Sequence, residues 1–129
     1  MADFNKILDE IKNPKDLTNH FDPQDIQSNK AMGILSYLSI LVLIPLFAAK
    51  QSKFARFHCN QGLLLFIIEL ITSIILNLLS DIALIGWIFS IIKALVNIAC
   101  FLLTVLGIIN ASNGKAKELP VIGSIRILK

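Results

Sequence analysis

This sequence predicts an all-α membrane protein, with three transmembrane helices behind an N-terminal amphipathic helix. Three observations point there. Apolar residues make up 55% of the 129 positions and charged residues 16%, whereas a soluble domain is usually nearer a quarter charged. Of the 12 Lys/Arg and 9 Asp/Glu, all but Glu69 and Lys93 fall in residues 1–30, 50–56, 115–129 or at Asp81. Between these groups run three long apolar tracts. The distribution excludes an ordinary water-soluble globule and a disordered charged tail. Two cysteines are too few for a disulfide framework or a four-ligand zinc site, so neither metal nor cofactor is expected.

Residues 1–30 form a polar N-terminal segment. It carries Asp and Glu and lacks the basic-then-apolar order of a cleavable signal. Within it, Phe4, Ile7, Leu8 and Ile11 recur at the spacing of one helical face, predicting an amphipathic helix over 3–13. Asp3 is the expected N-cap and Pro14 the stop. Residues 14–30 read as an irregular linker, with Pro23 discouraging helix around it.

A three-helix transmembrane domain is expected over 31–111, with spans at about 31–49, 57–80 and 83–110. Ala31–Ala49 is 19 residues without a charge, long enough for ~30 Å of hydrocarbon, with Pro45 expected to kink its far end. Gly62–Ser80 is another 19-residue tract, with Glu69 as its one charge. Ile82–Asn110 runs 29 residues with Lys93 as its one charge, so it must tilt or begin among the head groups. Trp87 fits an interfacial anchor. Asp81 marks a tight hairpin, and Gly114 offers a left-handed C-cap. The tail, 112–129, is basic and mildly apolar.

With three spans, Lys6, Lys12, Lys15 and Lys30 lie on one side. Lys50, Lys53, Arg56, Lys115, Lys117, Arg126 and Lys129 lie on the other. The positive-inside rule then puts loop 50–61 and the C-terminus in the cytoplasm of a multi-pass cell-membrane protein, with the N-terminal segment outside. The basic residues flank apolar tracts and suit anionic lipid head groups. A nucleic-acid binder would instead gather them on one face, so lipids are expected partners and nucleic acid is not.

Glu69 and Lys93 are the residues most able to carry chemistry, each lying twelve residues from Asp81. A hairpin centred on Asp81 would bring them to one depth, either as an ion pair that fixes register or as part of a proton or ion relay. Along the third tract Gly86, Ser90, Lys93, Asn97, Cys100, Thr104, Gly107 and Ala111 alternate at spacings of four and three. This small and polar seam suits helix packing in lipid, or else lines a wet path in a homo-oligomer. Glu69, Thr72, Ser73, Asn77 and Ser80 form a matching stripe, and Gly33, Ser36 and Ser39 a shorter one. In loop 50–62, Phe54, Arg56 and Phe57 suit a membrane interface, and His58, Cys59, Asn60 and Gln61 open the second span. His58 and Cys59 are adjacent and point ~100° apart on a helix, which argues against a paired nucleophile and base.

The block KFARFHCNQG around Phe54, Arg56, Phe57, His58, Asn60 and Gln61, with IGWI and NGKAKELPVIG further on, resembles a family of small bacterial membrane proteins. That family is similar to the twenty-kilodalton Tic component of chloroplast import, and magnetosome membrane proteins belong to it. The resemblance covers about residues 29–129. It implies a small helical membrane bundle, and Cys59 stands where the family more usually has alanine. The expected role is that of a structural or interaction subunit, not an enzyme, with other membrane proteins or further copies as partners. The alternative is a component of a protein-translocation or ion-conducting oligomer.

Overall fold

The computed structural model describes residues 2–128, with side chains from residue 4 onward. The first helix, α1, spans Ala2–Lys12 and ends before Pro14; the side chain of Asp3 lies outside the described residues. Phe4, Leu8 and Ile11 are exposed along its apolar face. The stretch expected to be irregular contains a 3-10 turn, Thr18–His20, and a short helix, α2, at Pro23–Ser28. Pro23 starts this helix instead of preventing it. At the first helical position its missing N–H would have had no partner anyway, and Asp22 caps the turn by accepting from the amide of Gln24 at 3.1 Å.

The tract 31–49 is not one helix. It divides into α3 (Lys30–Leu35), a 3-10 turn (Ser39–Val42) and α4 (Leu43–Ala48). The break comes at Leu38–Ser39, ahead of Pro45, where Ser39 takes a left-handed φ of 57°. Pro45 sits in the first turn of α4, where it removes no intrahelical bond. Tertiary contacts override the tract's helical length. Asp25 accepts from the Ser52 hydroxyl at 2.6 Å and from the Phe54 amide at 3.0 Å, so the segments that flank the tract meet at one point.

Two helices are long and apolar enough to cross a membrane: α5, Lys53–Ser80, and α6, Gly86–Ser112. The Ser52 hydroxyl caps α5 by accepting from the Ala55 amide at 3.0 Å. A five-residue turn, 81–85, with Leu84 at φ 74°, leads into α6. At the other end of α6 Gly114 has φ 70°. Its amide reaches the Ala111 carbonyl at 3.1 Å, and the Lys115 amide reaches Asn110 at 2.8 Å. That is the bond pair of a Schellman cap, at the glycine the sequence marks.

Packing is concentrated where α5 begins and α6 ends. Tyr37, Leu64, Leu65, Cys100, Ala111, Leu119 and Ile122 form one buried cluster; Ile26, Phe54, Phe57 and Ala116 form a second. α3 wedges between the long helices through small residues. A Cβ on Gly62 would overlap the Ser36 carbonyl oxygen, and one on Gly107 would overlap the Tyr37 ring. Toward the turn the hairpin instead exposes Ile71, Ile74, Leu78, Ile91, Leu95 and Ile98.

The N-terminal segment reaches this packed end as well. The backbone at Asp16 pairs antiparallel with that at Lys117 in a single β-bridge, the Leu17 amide donates to the Ala116 carbonyl at 2.8 Å, and Glu10 accepts from the Val121 amide at 2.8 Å. Expected on the side opposite loop 50–61, it is hydrogen-bonded beside that loop and the C-terminal tail. An uncharged 19-residue tract long enough to cross once can also double back, and then both its ends stay together.

Candidate functional site

The site is built on the first two turns of α5. Phe57, His58, Cys59, Asn60 and Gln61 are consecutive and all buried, with His58, Cys59 and Gln61 fully so. Successive residues on a helix point ~100° apart, so a turn buried on every side must be enclosed by several elements. Between them these residues meet the N-terminal segment, the broken tract and the C-terminal tail. Phe57 stacks edge-on with Phe21, centroids 5.7 Å apart. Cys59 Sγ lies 3.7 Å from the Val42 carbonyl. Asn60 donates to the Ile125 carbonyl at 2.7 Å and accepts from the amides of Ile127 and Leu128 at 2.6 and 3.0 Å.

His58 and Gln61 join through Tyr37. His58 Nε2 is 2.9 Å from the Lys115 carbonyl, which can only accept, so Nε2 carries a proton. The Tyr37 hydroxyl lies 2.6 Å from His58 Nδ1 and accepts from Gln61 Nε2 at 2.7 Å. Its own proton therefore goes to Nδ1, and the imidazole is neutral. Gln61 Oε1 accepts from the Leu119 amide at 2.8 Å. One chain of hydrogen bonds thus ties α5 to the broken tract, to the end of α6 and to the tail.

Phe54, expected among head groups, is in the core instead: its exposure is 0% and its ring lies 4.8 Å from that of His58, while Phe57 beside it is buried at the edge of an open cavity. Their spacing on one helix face was legible, but not the segments that would cover it. The hub itself had a signal that sequence reasoning passed over. A helical turn polar on all sides, flanked by apolar residues before and after, needs partners all round.

The structure does not bring Glu69 and Lys93 together. Lys93 Nζ donates to Asn77 Oδ1 at 2.6 Å, and Asn77 lies eight residues, ~12 Å of helix, from Glu69. The turn occupies 81–85 and is not centred on Asp81, so equal counts from Asp81 do not give equal depth. A Glu69→Gln, Lys93→Met double-mutant cycle in detergent is expected to be additive within ~0.5 kcal/mol, as for separated sites. A coupling above ~1 kcal/mol would restore the ion pair.

The seam on α6 divides. Gly86, Cys100, Gly107 and Ala111 are buried, Lys93 and Thr104 are half-buried, and Ser90 and Asn97 are exposed. Gly86 starts the helix against the Ser80 carbonyl, while Cys100 and Ala111 join the core. Of the shorter stripe, Gly33 and Ser36 are buried and Ser39 is exposed. Trp87 is exposed at the turn end of α6.

Away from the hydrocarbon-length tracts, Asp16 has its carboxyl held below the usual range, first by the Thr18 hydroxyl and then by the Thr18 amide. No group of three or more His, Cys, Asp or Glu able to hold a metal ion occurs among the described residues.

Comparisons with known proteins now meet this geometry. The profile of the MamF/MmsF family, described as the magnetosome magnetite crystal formation protein family, matches residues 28–128. The UPF0132 membrane protein MJ1527 of Methanocaldococcus jannaschii is 38% identical over 95 residues, 72% of this chain and 64% of that protein. The chain thus spans a little under two thirds of that relative. A second UPF0132 membrane protein of the same organism, MJ1443, is also 38% identical over 95 residues, covering 72% of this chain and 80% of that protein. The magnetosome protein MamF of Paramagnetospirillum magneticum is 30% identical over 93 residues, 71% of this chain and 77% of MamF. No solved structure matches. The matched region takes in the broken tract, both long helices and every residue of the hub. The comparisons carry the magnetosome part of the expected resemblance and do not bring forward the import component. The chain belongs to the magnetosome magnetite crystal formation protein family.

Proposed function

We propose that this protein is a structural or interaction subunit of the cell membrane, a two-span hairpin that carries a folded cap at one membrane face. The observation that carries the reading is the state of the hub. Its buried polar groups are hydrogen-bonded to backbone or to one another, and no buried side-chain nitrogen or oxygen among the described residues lacks a partner. An acid, base or nucleophile must reach a reacting group in an accessible site. His58, Asn60 and Gln61 are engaged in holding segments together.

The meeting of Asp25 with Ser52 and Phe54 supports a tract 31–49 that enters and leaves by the same face. Non-helical backbone at membrane depth is tolerated where protein covers it, and Ser36 and Tyr37 are covered. Every Lys and Arg among the described residues except Lys93 then belongs to segments at the capped end, while the opposite turn carries only Asp81. By the positive-inside rule that end is cytoplasmic. From the relatives this reading takes the membrane class alone.

A second reading, an ion-conducting or translocating oligomer, draws on Glu69. Its carboxylate has no hydrogen bond or ion pair among the described residues and lines a notch with Ser39 and Ser73. Reconstitution into liposomes separates the two. The subunit reading expects no conductance above that of empty liposomes. A conductance abolished by Glu69→Gln would replace it with the second reading.

A further inference from the structure

Beside the hub lies an open cavity of about 500 Å³. Its floor is one face of α5: Lys53, Arg56, Phe57 and Asn60 follow the i, i+3, i+4, i+7 spacing of a helical stripe. Lys50 comes from the preceding loop, and Arg126 closes it from the C-terminal tail. Among the described residues, four cations line this cavity and no carboxylate does.

The cations differ in how they are held. Arg126 is fixed by Glu118 at 2.8 Å and lies 5.2 Å from the centroid of the Phe57 ring. Lys50 stands 5.8 Å from the Phe47 ring. Lys53 is exposed, and among the described residues its ammonium has no ion pair. Phe21, Phe57 and Leu128 supply apolar wall. Three of the amides that begin α5 are already used, since Asp25 takes that of Phe54, the Ser52 hydroxyl that of Ala55 and the Ser52 carbonyl that of Arg56. The positive field of the cavity therefore comes from side chains.

We propose that this cavity binds a phosphate-bearing anion, and that the site is shaped for the head group of an anionic phospholipid. Two features favour the lipid over free phosphate. The cavity opens at the end of α5 from which the exposed apolar face runs toward the turn, and its own wall is partly apolar. A lipid phosphate can sit between Lys50 and Lys53 while its glycerol and first methylenes lie against the aromatic wall. Clustered Lys and Arg beside a membrane helix attract anionic lipid, each charge adding to the pull.

The test uses the full chain in nanodiscs of zwitterionic phosphatidylcholine doped with phosphatidylglycerol, followed by native mass spectrometry of the released protein. Wild type is expected to retain phosphatidylglycerol in preference to phosphatidylcholine. Lys50→Gln with Lys53→Gln should lower that retention by at least ~10-fold, with thermal unfolding unchanged. Lys115→Gln with Lys117→Gln removes the same charge outside the cavity and should leave retention as in wild type. A separate arm titrates inorganic phosphate into lipid-free protein in detergent. If phosphate matches phosphatidylglycerol in occupancy at equal concentration, the anion chemistry stands and the lipid source is overturned. Equal retention of the two lipids, or equal loss in both double variants, overturns the site.

Discussion

Gly62→Ala will destabilise the cap by about 3 kcal/mol, at the upper end of the range for overpacking. The added methyl would overlap the backbone carbonyl of Ser36, and a carbonyl cannot swing aside as a side-chain tip can. Either α3 lifts off α5 or the helix bends. Both outcomes loosen Tyr37, which sits next in the chain to Ser36 and bonds His58 and Gln61. Reversible unfolding in mild detergent gives the free energy. Faster trypsin cleavage at Lys115 and Lys117 would show the tail coming free of α5. Ala94→Leu, on an exposed face of α6, adds more volume and should stay within ~0.5 kcal/mol of wild type.

His58→Phe is expected to cost about 3 kcal/mol for a different reason. The ring fits, but the Lys115 carbonyl and the Tyr37 hydroxyl lose their partner inside the protein. Each buried group left unmade costs ~1–3 kcal/mol. Tyr37→Phe alone strands Gln61 Nε2 and His58 Nδ1 in the same way. Combining the two removes both ends of the shared bond, so the double variant should be milder than the sum of the singles by ~1 kcal/mol or more. Simple additivity would mean that the Tyr37–His58 bond contributes nothing.

The two long helices were legible because their apolar runs exceed any ordinary core helix, and Gly114 was legible because a left-handed cap favours glycine. What local pattern could not convey was the path of 31–49. Nineteen uncharged residues describe a crossing helix and a doubled-back one equally well. The difference lies in the contacts of Tyr37 with His58 and Gln61 and of Ser36 with Gly62, pairs more than twenty residues apart. Pro23 was misread because proline both starts and breaks helices, and Asp22 before it was the deciding cue. Glu69 and Lys93 were paired by counting from Asp81, which assumes a turn of no length. The family block of α5 was found by its unusual sequence, yet its role as a hub needed the tail and the N-terminal segment in place around it. The basic cavity combines residues 21, 50–60 and 126–128, a grouping that no single stretch announces.

In the proposed two-span arrangement the N-terminal segment, loop 50–52 and the tail share one membrane face while the 81–85 turn occupies the other. Single cysteines at Asn5, Gln51, Ala83 and Ser124, all exposed positions, can be placed in a Cys59→Ala, Cys100→Ala background. Membrane-impermeant maleimide is then applied to intact spheroplasts and to inverted vesicles. Positions 5, 51 and 124 are predicted to label together from one face, with 83 from the opposite face. Labelling of position 5 with 83, opposite 51 and 124, would mean that residues 31–49 cross the membrane, and would contradict the two-span hairpin.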